Sequence, residues 1–293
     1  MEAVITLAGE GTRMLPWSRG LRKEFLPLYD RGENGDLVLK SVAHLVVETL
    51  VRAGADRLTL VVQPKDLPFV RHYFTVDPEF VRRHRNVADR LAETRRFYET
   101  LRSLRLSFAL QRAPKGFGDA VLRARPFLRD RAFLLHAGDA VVIEPPGTSI
   151  LRTMADLRDR EELDAVLLVR RVPDARRYGV VEGKQGPRVE RWRRLSVTRM
   201  DEKPKHPRSR WAATAAYVFA PTIFSALLRH RREHHPRELE LTDGIRTLLE
   251  QGGRVSALVL DPEREWRSVG SPEGFARALE CTRRRAEHSA LGG

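Results

Sequence analysis

Up to about residue 170 the chain alternates short apolar runs with stretches of helical periodicity, and this rhythm limits the possible folds more than any other feature. Val4-Ile5-Thr6-Leu7, Arg57 to Val62, Leu104 to Leu110, Ala132 to His136 and Leu163 to Val169 read as strands. Leu37 to Ala53, Glu79 to Ser103, Gly118 to Ala124 and Ser149 to Leu157 read as helices, the second a charged, exposed excursion. Such alternation predicts an α/β domain with a doubly wound, mostly parallel sheet and helices on both faces. Right-handed crossovers then set the strand C-termini along one rim, where open sheets bind ligands. From Val172 the rhythm changes. Tyr178 to Glu182, Val189 to Trp192 and Val197 to Met200 read as short strands of a smaller mixed lobe. Ala212 to Phe219 and Val255 to Leu260 read as strands, and Pro221 to Leu228, Leu241 to Gln251 and Pro272 to Arg284 as helices. The expected divisions are 1–170, 171–280 and a tail, 281–293.

The first strand runs into Ala8-Gly9-Glu10-Gly11-Thr12-Arg13. Gly9 and Gly11 permit a sharp turn and a close approach of backbone to ligand. Arg13 and Lys23 add two cations, and backbone N–H groups with cations suit a polyphosphate. A dinucleotide fingerprint fits poorly, because Met14 replaces its third glycine, Pro16 interrupts the following helix and the second strand ends in Gln63. No Gly-Lys-Ser/Thr is present for a P-loop.

The 293 residues, 42% hydrophobic and 31% charged, suit one large globular domain. No apolar run reaches membrane-spanning length and no leader pattern is visible, so a cytoplasmic protein without a membrane partner is expected. The single cysteine, Cys281, excludes an internal disulfide framework and a cysteine-based zinc site. The net charge of +14 comes mostly from scattered arginines, as in Arg82-Arg83, Arg95-Arg96 and Arg193-Arg194. Without a nucleic-acid motif or interleaved aromatics, this reads as a solvated Arg-rich surface rather than a specific nucleic-acid site. Anionic substrates, non-specific polyanion binding or an acidic partner are the other readings.

Further groups carry chemistry. Asp139 follows a buried strand beside Gly138, where a carboxylate can hold Mg²⁺ against substrate phosphates or simply cap the loop. Glu202-Lys203-Pro204-Lys205 suits a sugar hydroxyl and a phosphate, and equally a charged turn. Gln111 and Pro114-Lys115-Gly116-Phe117-Gly118 suit either a flat base or an ordinary strand-to-helix connection. Gly179 in Tyr178-Gly179-Val180-Val181 leaves bare backbone for a hexose, or marks a bulge. Glu240-Leu241-Thr242-Asp243 reads mainly as a capped helix start.

Taken in order, these segments resemble the sugar-nucleotide pyrophosphorylases, also called nucleoside-diphosphate-sugar nucleotidyltransferases. The carrying residues are Ala8 to Pro16, Lys23-Glu24-Phe25-Leu26-Pro27-Leu28, Lys115 to Gly118, Tyr178 to Val181, Glu202 to Lys205 and Leu241-Thr242-Asp243. Glu24 and the charged excursion match the bacterial UTP–glucose-1-phosphate uridylyltransferase branch better than the thymidylyl branch. The resemblance implies a Rossmann-like nucleotidyltransferase fold with a nucleotide-binding half, 1–170, and a sugar-phosphate-binding half, 171–280. It implies that Ala8, Gly9, Gly11, Thr12, Glu24, Gln111 and Gly116 meet the nucleotide. Arg13, Lys23 and Lys203 would be catalytic, Gly179, Glu202 and Ala215 would meet the sugar, and Asp139 would hold Mg²⁺. The implied partners are a nucleoside triphosphate, a sugar 1-phosphate and further copies of the chain in a homodimer or homotetramer.

Three positions depart from the family pattern. Ser268 stands where a second metal-binding Asp is usual, and a hydroxyl is a poorer Mg²⁺ ligand than a carboxylate. Asp261 and Glu263 are the nearby substitutes, while Glu265 would face the opposite side of a regular strand. Ala215 replaces a frequent glycine, and Arg22 a usual proline. The expected activity is therefore UDP-glucose synthesis. The alternatives are a catalytically weakened paralogue that regulates or partners an active enzyme, and a thymidylyltransferase acting on another sugar 1-phosphate.

Overall fold

The computed structural model describes every residue except Glu33, Pro146, 261–264 and 289–293. In chain order the first half runs β1 (Glu2–Thr6), β2 (Pro27–Arg31), β3 (Leu37–Ser41), α1 (Val42–Arg52), β4 (Arg57–Val62), α2 (Leu67–Tyr73), α3 (Pro78–Arg83), α4 (Ala92–Ser103), β5 (Arg105–Leu110), α5 (Phe117–Ala124), β6 (Phe133–Ala137), β7 (Ala140–Ile143), α6 (Ile150–Glu161) and β8 (Ala165–Arg171). It continues through β9 (Gly179–Val189), β10 (Trp192–Glu202), β11 (Trp211–Phe219), α7 (Thr222–His234), α8 (Leu241–Glu250), β12 (Val255–Val259), β13 (Glu265–Ser268) and α9 (Pro272–His288).

Nine strands form one sheet in the order β5-β4-β1-β6-β11-β8-β12-β10-β9. β5, β4, β1 and β6 are mutually parallel, and β8 is parallel to β12. Alternate residues of β1 serve opposite layers. Ala3, Ile5 and Leu7 join a core with α1 and α6, while Val4 joins one with α5, α7 and α8. β11 lies antiparallel between β6 and β8, and β10 is antiparallel to β12, so the shared rim of C-termini excludes these two strands. β9 pairs back onto β11 through Val180 and Val181, so β11, β8, β12, β10 and β9 close into a ring. Two register shifts between β9 and β10 accommodate that curvature.

Some elements differ from the periodicity reading. Leu37–Ser41 is a strand paired with β2, not the first turn of a helix. The helix starts at Val42 because the Ser41 hydroxyl caps it, accepting the His44 N–H at 3.0 Å. The three short strands read across 178–200 are two strands, β9 and β10, which turn where Val189 to Trp192 was read as extended. α9 continues past 284 to His288 and returns to β2, where the Tyr29 N–H donates to Thr282 Oγ1 at 3.2 Å.

Candidate active site

β1 delivers the chain to Gly9-Glu10-Gly11. Gly11 adopts φ 66°, a left-handed value that favours glycine. Arg22 donates to the Gly9 carbonyl at 2.7 Å and pairs with Asp66, and Gln63 donates to the Ala8 carbonyl at 2.7 Å. Both side chains are buried. Arg22, a departure in the sequence, is thus a brace for the turn. Gln63 supplies a donor that an ionised acid could not.

Lys23 bridges two strand ends. Its Nζ lies 2.5 Å from Asp139 Oδ2 and 3.9 Å from Glu24 Oε1. Burial alone would lower its pKa, yet the charges of Asp139 and Glu24 raise it. Burial likewise opposes the charged form of Asp139, but Lys23 and Arg13 hold that carboxyl below its ordinary value. Glu24 is only 2% exposed and its Oε2 has no hydrogen-bond partner. Burial, with Lys23 opposing it, pushes its carboxyl up to about 7. A Cβ on Gly138 would lie 2.3 Å from Leu7 Cδ2 and 2.9 Å from the Thr6 carbonyl oxygen, so β6 leaves past β1 only with glycine there.

The β7–β13 ribbon brings Ser268 to this end. Ser268 pairs with Ala140, and the Val269 N–H donates to the Asp139 carbonyl at 2.9 Å. A Cβ on Gly270 would lie 3.0 Å from Arg13 Nη2, 3.2 Å from Ser268 Oγ and 3.3 Å from Asp139 Oδ2, so the three groups surround one point. Asp261 and Glu263 lie outside the described residues, as does the side chain of Glu265. Among the described residues no group of three or more His, Cys, Asp or Glu is placed to hold a metal.

Past β5, Gln111 Nε2 donates to the Gly116 carbonyl at 3.1 Å and to Asp119 Oδ2 at 3.0 Å. A Cβ on Gly116, which has φ 97°, would lie 2.3 Å from the Leu239 carbonyl oxygen, and one on Gly118 2.8 Å from that of Glu240. The approach these glycines permit is therefore to the chain's own backbone.

Around Glu202 the site is knit by side chains. Glu202 Oε2 accepts from the Thr242 hydroxyl at 2.7 Å, and its Oε1 lies 2.8 Å from Lys203 Nζ. Lys203 takes φ 42° although it precedes Pro204, and its N–H donates to the Tyr178 carbonyl at 3.0 Å. Burial opposes its charge, but the contact with Glu202 raises its pKa. A Cβ on Gly179 would lie 3.3 Å from Thr242 Oγ1 and 3.4 Å from Glu202 Oε2. Glu240 caps α8 in a reciprocal box with Asp243. Burial and the nearby Glu202 raise its carboxyl pKa. Burial, Glu202 and Glu240 push the Tyr217 phenol far above its ordinary range.

A cleft of about 830 Å³ is lined by Ala8, Gly9, Gly11, Thr12, Arg13, Lys23, Glu24, Gln111, Gly116, Asp139, Gly179, Glu202, Lys203 and Ser268. Ala215 lies in β11, and its side chain is outside the described residues. The sequence reading missed Tyr217 and Trp266, which also line the cleft, and took Thr242 mainly for a helix-start residue. Only its place beside the capping Asp243 hinted that Thr242 stands at a fixed corner. Trp266 lies under the Arg170 guanidinium, 5.3 Å from its ring centre.

The nucleotidyl transferase family model matches residues 2–285. A UTP–glucose-1-phosphate uridylyltransferase of Bacillus subtilis is 31% identical over 282 residues, covering 94% of this chain and 88% of that protein. Its Mycoplasma pneumoniae counterpart is 28% identical over 289 residues, covering 94% and 90%. A solved UDP-glucose pyrophosphorylase in complex with UDP-glucose superposes with a TM-score of 0.82 at 22% identity, covering 97% of this chain and 98% of the other. A UTP-bound enzyme of Acinetobacter baumannii gives 0.75 at 24% identity, covering 95% and 91%. With a family model spanning nearly the whole sequence and a relative above 30% identity along it, this chain belongs to the nucleotidyl transferase family.

Proposed function

We propose that the chain converts UTP and glucose 1-phosphate to UDP-glucose and pyrophosphate. One observation supports this reading above the others. Arg13, Lys23, Asp139 and Lys203, from four separate segments, line a single cleft together with Gln111, Gly116, Gly179 and Glu202. The names of the relatives at 31% identity support uracil and glucose over other bases and sugars.

An oxygen of the sugar phosphate forms the new bond to the α-phosphorus of UTP. The bond from that phosphorus to the bridging oxygen of pyrophosphate breaks in line with it. The attacking oxygen is already anionic, so no side chain has to remove a proton. What the reaction needs is alignment and neutralisation of crowded negative charge. Ala8, Gly9, Gly11 and Thr12 present backbone to the triphosphate, with Glu24 beneath, while Gln111 and Gly116 border the base. Arg13 and Lys23 neutralise the triphosphate, and Lys203 holds the sugar phosphate. Glu202, Gly179 and the strand carrying Ala215 border the hexose. In this reading residues 1–170 bind nucleotide and 171–280 bind sugar phosphate, whereas the expected tail from 281 instead continues α9 to His288.

Asp139 and Ser268 would hold Mg²⁺, at a point that Arg13 Nη2 also approaches to 3.0 Å. Asp139 Oδ2 and Ser268 Oγ both lie within 3.3 Å of the place a Cβ on Gly270 would take. One carboxylate with a neutral oxygen beside it suits an ion that keeps several waters and takes substrate phosphate oxygens. When bound, Mg²⁺ supplies further neutralisation of phosphate charge. Among the described residues no helix is long and apolar enough to cross a membrane. The cytoplasm as the setting and a homodimer or homotetramer as the assembly rest on the family resemblance.

Ser268 favours a second reading, a paralogue that binds sugar nucleotide but turns over slowly. Pyrophosphate release, measured with Mg²⁺ over a grid of nucleoside triphosphates and sugar 1-phosphates, separates the two. UTP with glucose 1-phosphate should be fastest. A faster rate with dTTP overturns the base assignment, and tight UDP-glucose binding without release favours the paralogue. Ser268→Asp should raise Mg²⁺ affinity or turnover, and if it changes neither, Ser268 is not a defect.

A further inference from the structure

A side-chain amide has a donor end and an acceptor end, and its partners decide which one a ligand meets. Gln111 follows β5, lines the cleft and is 3% exposed. Both hydrogens of its Nε2 are used, one on the Gly116 carbonyl and one on Asp119 Oδ2. The Gly116 carbonyl is itself held, since it accepts the Ala120 N–H at 3.2 Å. A carbonyl and a carboxylate can only accept. Turning the amide over would set Oε1 against two oxygens and leave both without a donor.

Asp119 supplies the stronger half of this lock. It is 2% exposed and stands in the first turn of α5, where a helix favours negative charge. Arg123 holds its far side, with Nη2 2.8 Å from Oδ1. The other end of the Gln111 amide is open. No described residue donates to Oε1, and that oxygen is not one of the buried side-chain atoms shut away without a partner. It therefore keeps accessible surface on the cleft.

We propose that Asp119 is a positioning residue for base selection. By holding Gln111 with Oε1 toward the cleft, it makes the site take a pyrimidine with an N–H at position 3, as in uracil or thymine. Cytosine has a lone pair there, which would face another lone pair. A site built to accept an N–H rejects an analogue that lacks it. This inference rests on the reading that Gln111 borders the base.

The test is calorimetric titration of the full chain with UTP and with CTP, Mg²⁺ present and sugar phosphate absent, so that no turnover is needed. Wild type should bind UTP more than about tenfold tighter than CTP. Asp119→Asn keeps the shape but offers an N–H, so the amide can turn, and the ratio should fall below about threefold. Asp119→Ala removes the acceptor without supplying a donor and should narrow the ratio by less. Arg123→Ala disturbs the same helical turn but spares the bond to Gln111, so it should keep the wild-type ratio. An unchanged ratio in either Asp119 variant overturns the proposal. So does an equal collapse in Arg123→Ala, which would mean that loosening of α5 is enough. A wild type that binds CTP as tightly as UTP sinks the base assignment itself, so the two failures are told apart.

Discussion

The two ends of the cleft are built in different ways. At the end proposed to take phosphate, Gly9, Gly11 and Asp139 sit in turns close behind β1 and β6, and Lys23, in the turn before β2, meets Asp139 there. At the end proposed to take the sugar, Glu202 closes an antiparallel strand and is fixed by Thr242, forty positions further along. The first end rests on a glycine turn braced by the buried Arg22 and Gln63 side chains, and the second on the Glu202–Thr242 contact between β10 and α8. Charge neutralisation should therefore fail at one end and substrate discrimination at the other.

The sharpest way to break this contrast is Lys23→Ala. Removing such a cation typically costs about 2.7–4 kcal/mol of transition-state stabilisation, roughly two to three decades in rate. Single-turnover kinetics should show that loss, and a rate within a few-fold of wild type would contradict the assignment. Gly116→Ala should act on the fold instead, through a Cβ aimed at the Leu239 carbonyl and an unfavourable φ. A loss of about 1–3 kcal/mol in urea unfolding is expected, and unchanged stability would show that the loop yields freely. Thr242→Val should raise KM for glucose 1-phosphate on the order of tenfold with KM for UTP unchanged, because it frees the Glu202 carboxylate. Equal shifts in both would erase the distinction between the ends.

The smallest effect sharpens the phosphate end. The Glu24 carboxyl lies near 7 in the folded protein against an ordinary 4.5. Between those values the folded state keeps a proton that the unfolded chain has released. Stability tied to protonated Glu24 is thus complete below the lower value and lost as pH rises through the higher. Glu24→Gln cannot ionise, so its melting temperature should gain on wild type across that window. Parallel pH profiles would place the Glu24 carboxyl at its ordinary value.

The same contrast explains how far the sequence could be read. Parallel strands buried on both faces leave apolar runs such as Val4-Ile5-Thr6-Leu7, and the glycines and cations follow within a few residues. β2, β7 and β13 are short ribbons without a run long enough to stand out, so the link between Ser268 and Ala140 was hidden. Nothing local in Arg22 or Gln63 says that each donates to the glycine turn, because their partners are set by tertiary packing. Thr242 was read as part of a helix start, which is true of its backbone and silent about its hydroxyl. β11 was read as a strand, but its direction depends on neighbours that a linear pattern cannot specify.

The late pairing of β13 with β7, with α9 laid against β2, also has a temporal side. A ribosome finishes Asp139 long before it makes Ser268, Gly270 and the helix that clasps Tyr29. The nascent chain can thus assemble β1, β4, β5 and β6 while its phosphate end still lacks one wall. The cleft gains that wall only once β13 has paired with β7 and α9 has reached β2, so synthesis itself sets when the cleft is complete.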